Sequence, residues 1–385
     1  MRKHTTSLAA FAMIVLAGLL ATNCQQQTKT DIETINFTFE STENPLDIRT
    51  IADTVYDPIV LETTDDCLIG EASKIAFAHD TIIIADKVTN SVFFFDGNGK
   101  YISKINRVGR GPEEYVELTD MYVCDNRVLI IDYNQWKVCC YNFAGKCLYH
   151  FDSKEGEQIA CSGDRILCCT SWGGGEDWDD CLVAEFDQSG KMVRTYFKQS
   201  KKDSIRHHFD DVFIKTDKGL DYNLSTKNIV YTLNGDGFEP HYKVDFGKYE
   251  MPDKITEKGD VYIVENKCHK QYTSGIEKVT EAGRYRLISA SIQNVNYLLV
   301  YDKKEQRVID IYNRNCYLDG LNFGISINTD SDCFYSYFSG NLLCAKKQYG
   351  WSEKNTIGLE RKVQEAAKAI TEEDNGLIIR VKMKD

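Results

Sequence analysis

Several things are missing from this chain, and each absence narrows what it can be. It has no Gly-x-Ser-x-Gly elbow, no His-Glu-x-x-His pair and no Walker loop. Serine hydrolases of the elbow type, zincins and P-loop NTPases are thereby set aside. No Cys-x-x-Cys pair occurs among its cysteines, which argues against a structural zinc site. Positive charge is also short: 46 Lys and Arg stand against 58 Asp and Glu, a formal net charge of −12 with no basic cluster. Such a surface repels nucleic acid and anionic membrane surfaces. Proline is rare, at 5 residues, whereas tyrosine and phenylalanine number 22 and 18, a composition that suits strands rather than disorder.

The first residues read as a targeting signal. Arg2 and Lys3 precede an apolar run, Leu8 to Ala21, too short for a stable transmembrane helix. Cys24 follows within Ala-Thr-Asn-Cys, the layout of a bacterial lipoprotein signal whose cysteine becomes the lipidated N-terminus. Removing Arg2 and Lys3 with residues 1–23 takes the charge from −12 to −14. The reading is a signal peptide over 1–23, a polar tether over 24–50 with a short strand near Ile35–Phe39, and a folded domain over 51–385.

Cys24 aside, thirteen of the 14 cysteines remain, an odd number, and most lie inside apolar runs. Buried free thiols acting as small hydrophobes are the expectation, with one or two bridges as the exception. The adjacent pairs Cys139-Cys140 and Cys168-Cys169 should point to opposite faces of their strands.

A repeat emerges when the turns are aligned. The glycines of DGNGK, NFAGK, DQSGK and NGDGF fall at 99, 145, 190 and 237, intervals of 46, 45 and 47 residues. DTIIIAD and NRVLIID keep the same beat. Each unit reads as four strands, the first being Ser73–Ala78, Thr81–Asp86, Ser91–Asp96 and Lys100–Ile105. A four-stranded unit at this period is the signature of a β-propeller blade, because a lone sheet of this size cannot cover both faces. The length fits an all-β, six-bladed propeller. An insertion is expected at Lys248–Glu281 and a sixth blade starting near Leu318. A helix with Leu359, Val363, Ala366, Ala367 and Ile370 on one face is expected within about 352–373, with Ser352 as its cap. Tyr56–Leu61 and Leu377–Val381 are the candidates for closing the ring from both chain ends.

The lipoprotein-like start, PIVLETTDDCLIGEASKIAF, the D-x-x-G-K turns and GRGPEEY together resemble the six-bladed propeller lipoproteins of Bacteroidetes-type bacteria, related to NHL-repeat and TolB-like proteins. In their Gly-x-Gly-Pro-Gly-Glu-Tyr loop, Gly109, Gly111, Pro112, Glu114 and Tyr115 match and Glu113 replaces a glycine. The ending around Gly376 is similar to the family's Asn-Pro pattern, with glycine in place of proline. The resemblance implies an extracytoplasmic, lipid-anchored propeller, in the outer membrane with its face open, and transfers no catalytic residue.

Three stretches could carry chemistry. Arg107, just before the GRGPEEY loop, and Arg110, within it, present either a basic, anion-catching edge or the solvated part of a rigid connector. In SWGGGEDWDDC, Trp172 and Trp178 flank Glu176, Asp177, Asp179 and Asp180. Exposed tryptophans suit sugar rings or hydrophobic partners, and clustered carboxylates suit Ca²⁺, though the spacing is not that of an EF-hand. The alternative is a solvated hairpin tip. His207 and His208, in RHHFDD, are neighbours and would diverge on a strand, leaving one beside Asp210 or Asp211 for acid–base or metal work. No cofactor is otherwise implied. The expected function is a non-enzymatic binding or scaffold protein of the cell envelope, holding a carbohydrate, a peptide or another envelope protein. The rival is a metal-dependent hydrolase or lyase in the central channel.

Overall fold

Strands that are apolar throughout and strands that alternate are both present in each repeat, and the propeller explains why. In a computed structural model, Thr81–Asp86 and Ser91–Asp96 are buried on both faces, whereas the outer strand Tyr101–Ile105 alternates between half-buried and exposed positions. The two middle strands are covered by a neighbouring blade on each side; the outer one meets water. The structure describes residues 32–38, 50–199, 205–206, 211–217, 219–313, 317–318, 321–322, 328–330, 332–349 and 359–385. The signal segment, Cys24, most of the tether, Ser352 and His207–Asp210 lie outside these.

Six blades follow in order, each an antiparallel sheet. Blade 1 is Ala72–Ala78, Thr81–Asp86, Ser91–Asp96 and Tyr101–Ile105. Blade 2 is Asp120–Cys124, Arg127–Asp132, Lys137–Asn142 and Cys147–Asp152; blade 3 is Gln158–Ser162, Arg165–Cys169, Cys181–Phe186 and Met192–Lys198. Blade 4 comprises Phe213–Thr216, Gly219–Leu224, Ile229–Leu233 and Phe238–Asp245, with Glu33–Asn36 added as a fifth strand on its outer edge. Blade 5 is Thr273–Ala282, Tyr285–Ile292, Val295–Asp302 and Arg307–Asn313. Its first strand begins eight residues inside the expected insertion, which therefore ends at Tyr272. A register shift and the polar pair Glu277-Lys278 hide the strand from its apolar pattern. Blade 6 starts at Asn328 rather than near Leu318 and continues with Cys333–Phe338.

The core is divided between blades. Six apolar clusters among the described residues each straddle one interface. The cysteine pairs follow this division: Cys139 joins the cluster between blades 1 and 2, and Cys140 the one between blades 2 and 3. Ten free cysteines are described, eight of them buried, and one bridge, Cys124–Cys161, ties the innermost strands of blades 2 and 3.

The repeated turn has a mechanical task. Asp96 Oδ1 accepts the backbone N–H groups of Asn98 and Lys100, and Gly99 sits at φ +86°. A Cβ on Gly99 would lie 2.2 Å from the carbonyl oxygen of Val60, on the outer strand of blade 6. At Gly190, φ +82°, a Cβ would meet Phe151 of blade 2 at 2.2 Å. At these two turns the backbone presses against the outer strand of the preceding blade, where only glycine fits.

The ring closes from both chain ends. Leu377–Met383 pairs with Cys333–Phe338 on one side and with Ala52–Val55 and Ile59–Val60 on the other. Asn375, 1% exposed, locks this closure. Its Nδ2 donates to the carbonyls of Glu62 and Cys67, both at 2.7 Å, and its Oδ1 accepts from Ile69 N at 2.8 Å. Between the second and third strands of blade 6 run two helices, Gly340–Tyr349 and Leu359–Ala367. Val363, Ala367 and Ile370 are buried on the expected face; the first helix was not anticipated.

Four long connections leave the same end of the propeller: Asn106–Thr119, Thr170–Asp180, Phe246–Tyr272 and Ser339–Gly376. All of these join a second to a third strand, or one blade to the next. The opposite end carries turns of two to five residues in blades 1 to 5. Asn375→Ala is expected to lose about 3 kcal/mol, since three hydrogen bonds of a buried amide go and the Cys67 carbonyl among their partners stays buried. That lowers the melting temperature by about 4 °C for a domain of this length. A melting temperature within 1 °C of wild type would show that closure does not depend on this amide.

Candidate functional site

The innermost strands meet around a central channel, and the residues facing it at the long-connector end are charged. Lys74 comes from blade 1, Asp120 opens blade 2, Asp211 immediately precedes the first strand of blade 4, and Lys278 comes from blade 5. Lys74 Nζ lies 2.8 Å from Asp120 Oδ1 and 3.6 Å from Asp211; Lys278 Nζ lies 3.0 Å from Asp211 Oδ2. The result is a ladder, Asp120–Lys74–Asp211–Lys278, of alternating sign across the channel. Asp120 Oδ2 also accepts from Ile159 N at 3.0 Å, which extends the ladder to blade 3. Beside it is a cavity of about 120 Å³, lined by Phe77, Met121, Tyr122 and Phe213.

The electrostatics follow from burial and pairing. Burial alone would lower Lys74, but Asp120 and Asp211 overcome it and hold the ammonium well above the ordinary lysine value. Burial alone would raise Asp211, but Lys278 and Lys74 hold its carboxyl well below the usual carboxylate range. Burial pushes the Tyr122 phenol up to about 12. Lys74 and Asp211, at the middle of the ladder, each hold the other in its charged form. Among the described residues no group of three or more His, Cys, Asp and Glu is placed to hold a metal ion. The two channel carboxylates face lysines, which is a structural brace rather than a donor set for a cation.

The loop Thr170–Asp180 separates its two tryptophans. Trp172 is 54% exposed, but Trp178 is fully buried, its Nε1 donating to Ser153 O at 3.1 Å and its ring edge-on to Phe186. The expectation of two exposed tryptophans is corrected here. Trp178 N bonds back to Gly174 O, and a Cβ on Gly174 would lie 2.5 Å from the indole, so the glycine run folds over Trp178 as its lid. Of the loop acids, Glu176 and Asp177 are exposed, Asp179 pairs with Lys198 at 2.7 Å and Asp180 is half-buried. The segment is a hydrogen-bonded loop anchored by one tryptophan and presenting the other.

The GRGPEEY loop is a connector. Tyr115 is fully buried and its hydroxyl donates to Asn90 O at 2.8 Å; Glu114 Oε2 accepts from Gly111 N at 2.8 Å. Lys137 Nζ and the Tyr141 hydroxyl of blade 2 donate to the carbonyls of Gly111 and Glu113, both at 2.8 Å. Arg107 is exposed and donates to Gly145 O at 3.3 Å, and Arg110 is exposed. The two guanidiniums stand apart from the channel ladder. Of RHHFDD, Asp211 proves to be a channel residue, through its lysines.

Sequence reading missed Lys74, Asp120 and Lys278, each a charge inside an otherwise apolar or mixed strand. It also missed Tyr133 and Trp136, both 44% exposed in the turn between the second and third strands of blade 2. Their signal was present as Tyr-Asn-Gln-Trp between two buried strands.

Lys74→Met is expected to destabilise the fold by about 3 kcal/mol near neutral pH, because Asp120 loses its lysine and Asp211 one of its two. For Asp211, whose folded pKa is depressed, the stabilisation is present above the unfolded value and lost as pH falls through the folded one. For Lys74 the pairing is kept up to about pH 10 and lost as pH rises through the raised folded value. The gap between wild type and variant in chemical denaturation should therefore shrink below about pH 4. A gap that stays constant from pH 7 to pH 3 would rule out the ladder as its cause.

No curated protein matches the chain. Among solved structures, a Bacteroides fragilis protein provisionally described as exported superposes with a TM-score of 0.72 at 19% identity, covering 92% of this chain and all of that one (100%). A member of the DUF4221 family from Bacteroides vulgatus has a TM-score of 0.50 at 10% identity, covering 89% of this chain and 99% of that one. At these identities the likeness is one of fold. The domain of unknown function DUF4934 matches residues 32–382, and this span takes in all six blades. The chain belongs to the DUF4934 family.

Proposed function

We propose that this protein is an exported, lipid-anchored, non-enzymatic binding protein of the cell envelope that engages its ligand at the long-connector end of the propeller. The observation carrying this reading is the division of labour between the two ends and the channel. Four long connections gather at one end, while the channel at that end is braced by its own lysine–carboxylate ladder. Groups neutralised by one another are poorly placed for acid–base work, whereas connectors on a rigid scaffold are where propellers vary their surfaces.

Export is supported by three separate features. Residues 1–24 have the signal and cysteine layout described above. The Cys124–Cys161 bridge suits an oxidising compartment. The Bacteroides fragilis relative of the same fold carries an exported description. No helix among the described residues is long and apolar enough to cross a membrane, so attachment rests on the lipid at Cys24. The outer membrane is the site in this reading.

Fractionation of cells tests the anchor: Cys24→Ser should move the protein from the membrane to the soluble fraction, and unchanged membrane association would refute lipidation. Alkylation of intact cells tests export. Cys124 and Cys161 should resist labelling until a reductant is added, and free thiols at both positions would place the chain in a reducing compartment. A photo-crosslinking residue at position 172 should give adducts in cells, and one at Leu148 on the outer strand of blade 2 should not. Equal yields at the two positions would remove the connector end as the binding surface.

A further inference from the structure

Position 136 is occupied by the wrong residue for its backbone. In blades 1, 2 and 4 the second and third strands are joined by four residues, Lys87–Asn90, Tyr133–Trp136 and Ser225–Asn228. The last residue of each has a left-handed backbone: Asn90 at φ +52°, Trp136 at +50° and Asn228 at +53°. Asparagine suits this conformation and a bulky aromatic does not. Asn90 also gains from it, since its Oδ1 accepts from Leu118 N at 2.9 Å. Trp136 gains no comparable burial, being 44% exposed. Neither local conformation nor core packing accounts for tryptophan here, and a conformational outlier of this kind points to a use outside the fold.

Trp136 and the Trp172 loop are tied to the same connector. Its carbonyl accepts from Ser153 N at 2.7 Å, and the carbonyl of Ser153 accepts from the indole of Trp178 at 3.1 Å. On the same stretch Glu157 accepts from Ser171 Oγ at 2.6 Å, next to Trp172. The turn of blade 2 and the Trp172 loop of blade 3 are thus fastened to one connector, Ser153–Glu157, on the same end of the propeller. Tyr133, Trp136 and Trp172 are 44%, 44% and 54% exposed. Between Tyr133 and Trp136 stand two neutral amides: Asn134, which donates to Glu117, and Gln135, which donates to Asp132 at 2.8 Å.

Resting on the binding function proposed above, we infer that Tyr133, Trp136 and Trp172 form a platform for an uncharged carbohydrate. Flat aromatic faces held half in water match the C–H faces of sugar rings, and the tyrosine hydroxyl, amides and carboxylates around them match sugar hydroxyls. A net charge of −12 disfavours anionic polysaccharides. Fixing the loops by hydrogen bonds before binding reduces the ordering that binding requires.

Electrophoresis of the full-length protein through gels containing neutral polysaccharides (dextran, mannan, xylan, arabinogalactan) tests this, with polygalacturonate and polylysine as charged comparisons. At least one neutral polymer should retard the protein, and polygalacturonate should not. Trp136→Asn and Trp172→Ala should each weaken retardation at least tenfold. Trp136→Asn should meanwhile leave the melting temperature unchanged or raise it by about 1 °C, since asparagine suits the backbone there. No retardation by any neutral polymer, retardation only by polylysine, or a fall in melting temperature in Trp136→Asn that accounts for lost binding would each overturn the platform. Retardation that survives both substitutions would overturn it too, while leaving a binding function elsewhere on the protein intact.

Discussion

Close packing of each blade against the outer strand of its predecessor is the constraint from which the remaining architecture follows. The turn ending at Gly99 can approach Val60 only without a side chain, and the same holds at Gly190 against Phe151. With this spacing fixed, the middle strands of each blade lie between two neighbours and must be apolar on both faces. That is why Ile82, Ile83 and Ile84 stand in a row, and why two cysteines can sit side by side in blades 2 and 3, each serving a different interface. The inner strands are left to line a narrow channel, where charge is tolerated because the ladder pairs it.

The two kinds of polar device in the molecule differ in purpose. Asp96, Asp86 and Asn375 satisfy backbone N–H or C=O groups and hold turns or the closure in place. The ladder instead spans separate blades and sets how closely the innermost strands converge. Its desolvation cost is offset only when every member is matched, so it favours a single arrangement of the ring over alternatives. A centre braced in this way leaves the connector end free to vary, and it is there that Trp136 and Trp172 depart from what the fold alone requires.

Local features were legible in the sequence. The Asp-x-x-Gly-Lys turns carry their own hydrogen-bond pattern within five residues, and strands such as Thr81–Asp86 are bounded by turn residues. The period therefore exposed the strands of blade 1 almost residue by residue. What depended on distant partners was not legible. Lys74 and Lys278 lie 204 positions apart and look like ordinary strand charges until Asp211 joins them. Nothing near Cys124 marks Cys161 as its partner among so many thiols. Trp172 and Trp178 have similar surroundings in sequence, yet Ser153 and Phe186 bury one and leave the other in water. Gly376 adopts φ +83°, a conformation closed to proline, which gives a physical reason for glycine at that position.

Closure through Leu377–Met383 has a consequence for the order in which the chain acquires its structure. Val55 pairs with Val381, so the contact that completes the ring joins segments near the two extremes of the domain. Blades 1 to 5 can form from neighbouring segments as they become available, but the sixth waits for the last strand to arrive. Until then Ile59 and Val60 lack their strand partners, and the cluster between blades 6 and 1 lacks Ile378. The slowest contact in the topology is thus also the one that seals the remaining apolar surface. A chain held unfolded during its passage to another compartment would lose little by the delay, because the strands of blades 1 to 5 pair with their neighbours in sequence, apart from Glu33–Asn36 at the edge of blade 4.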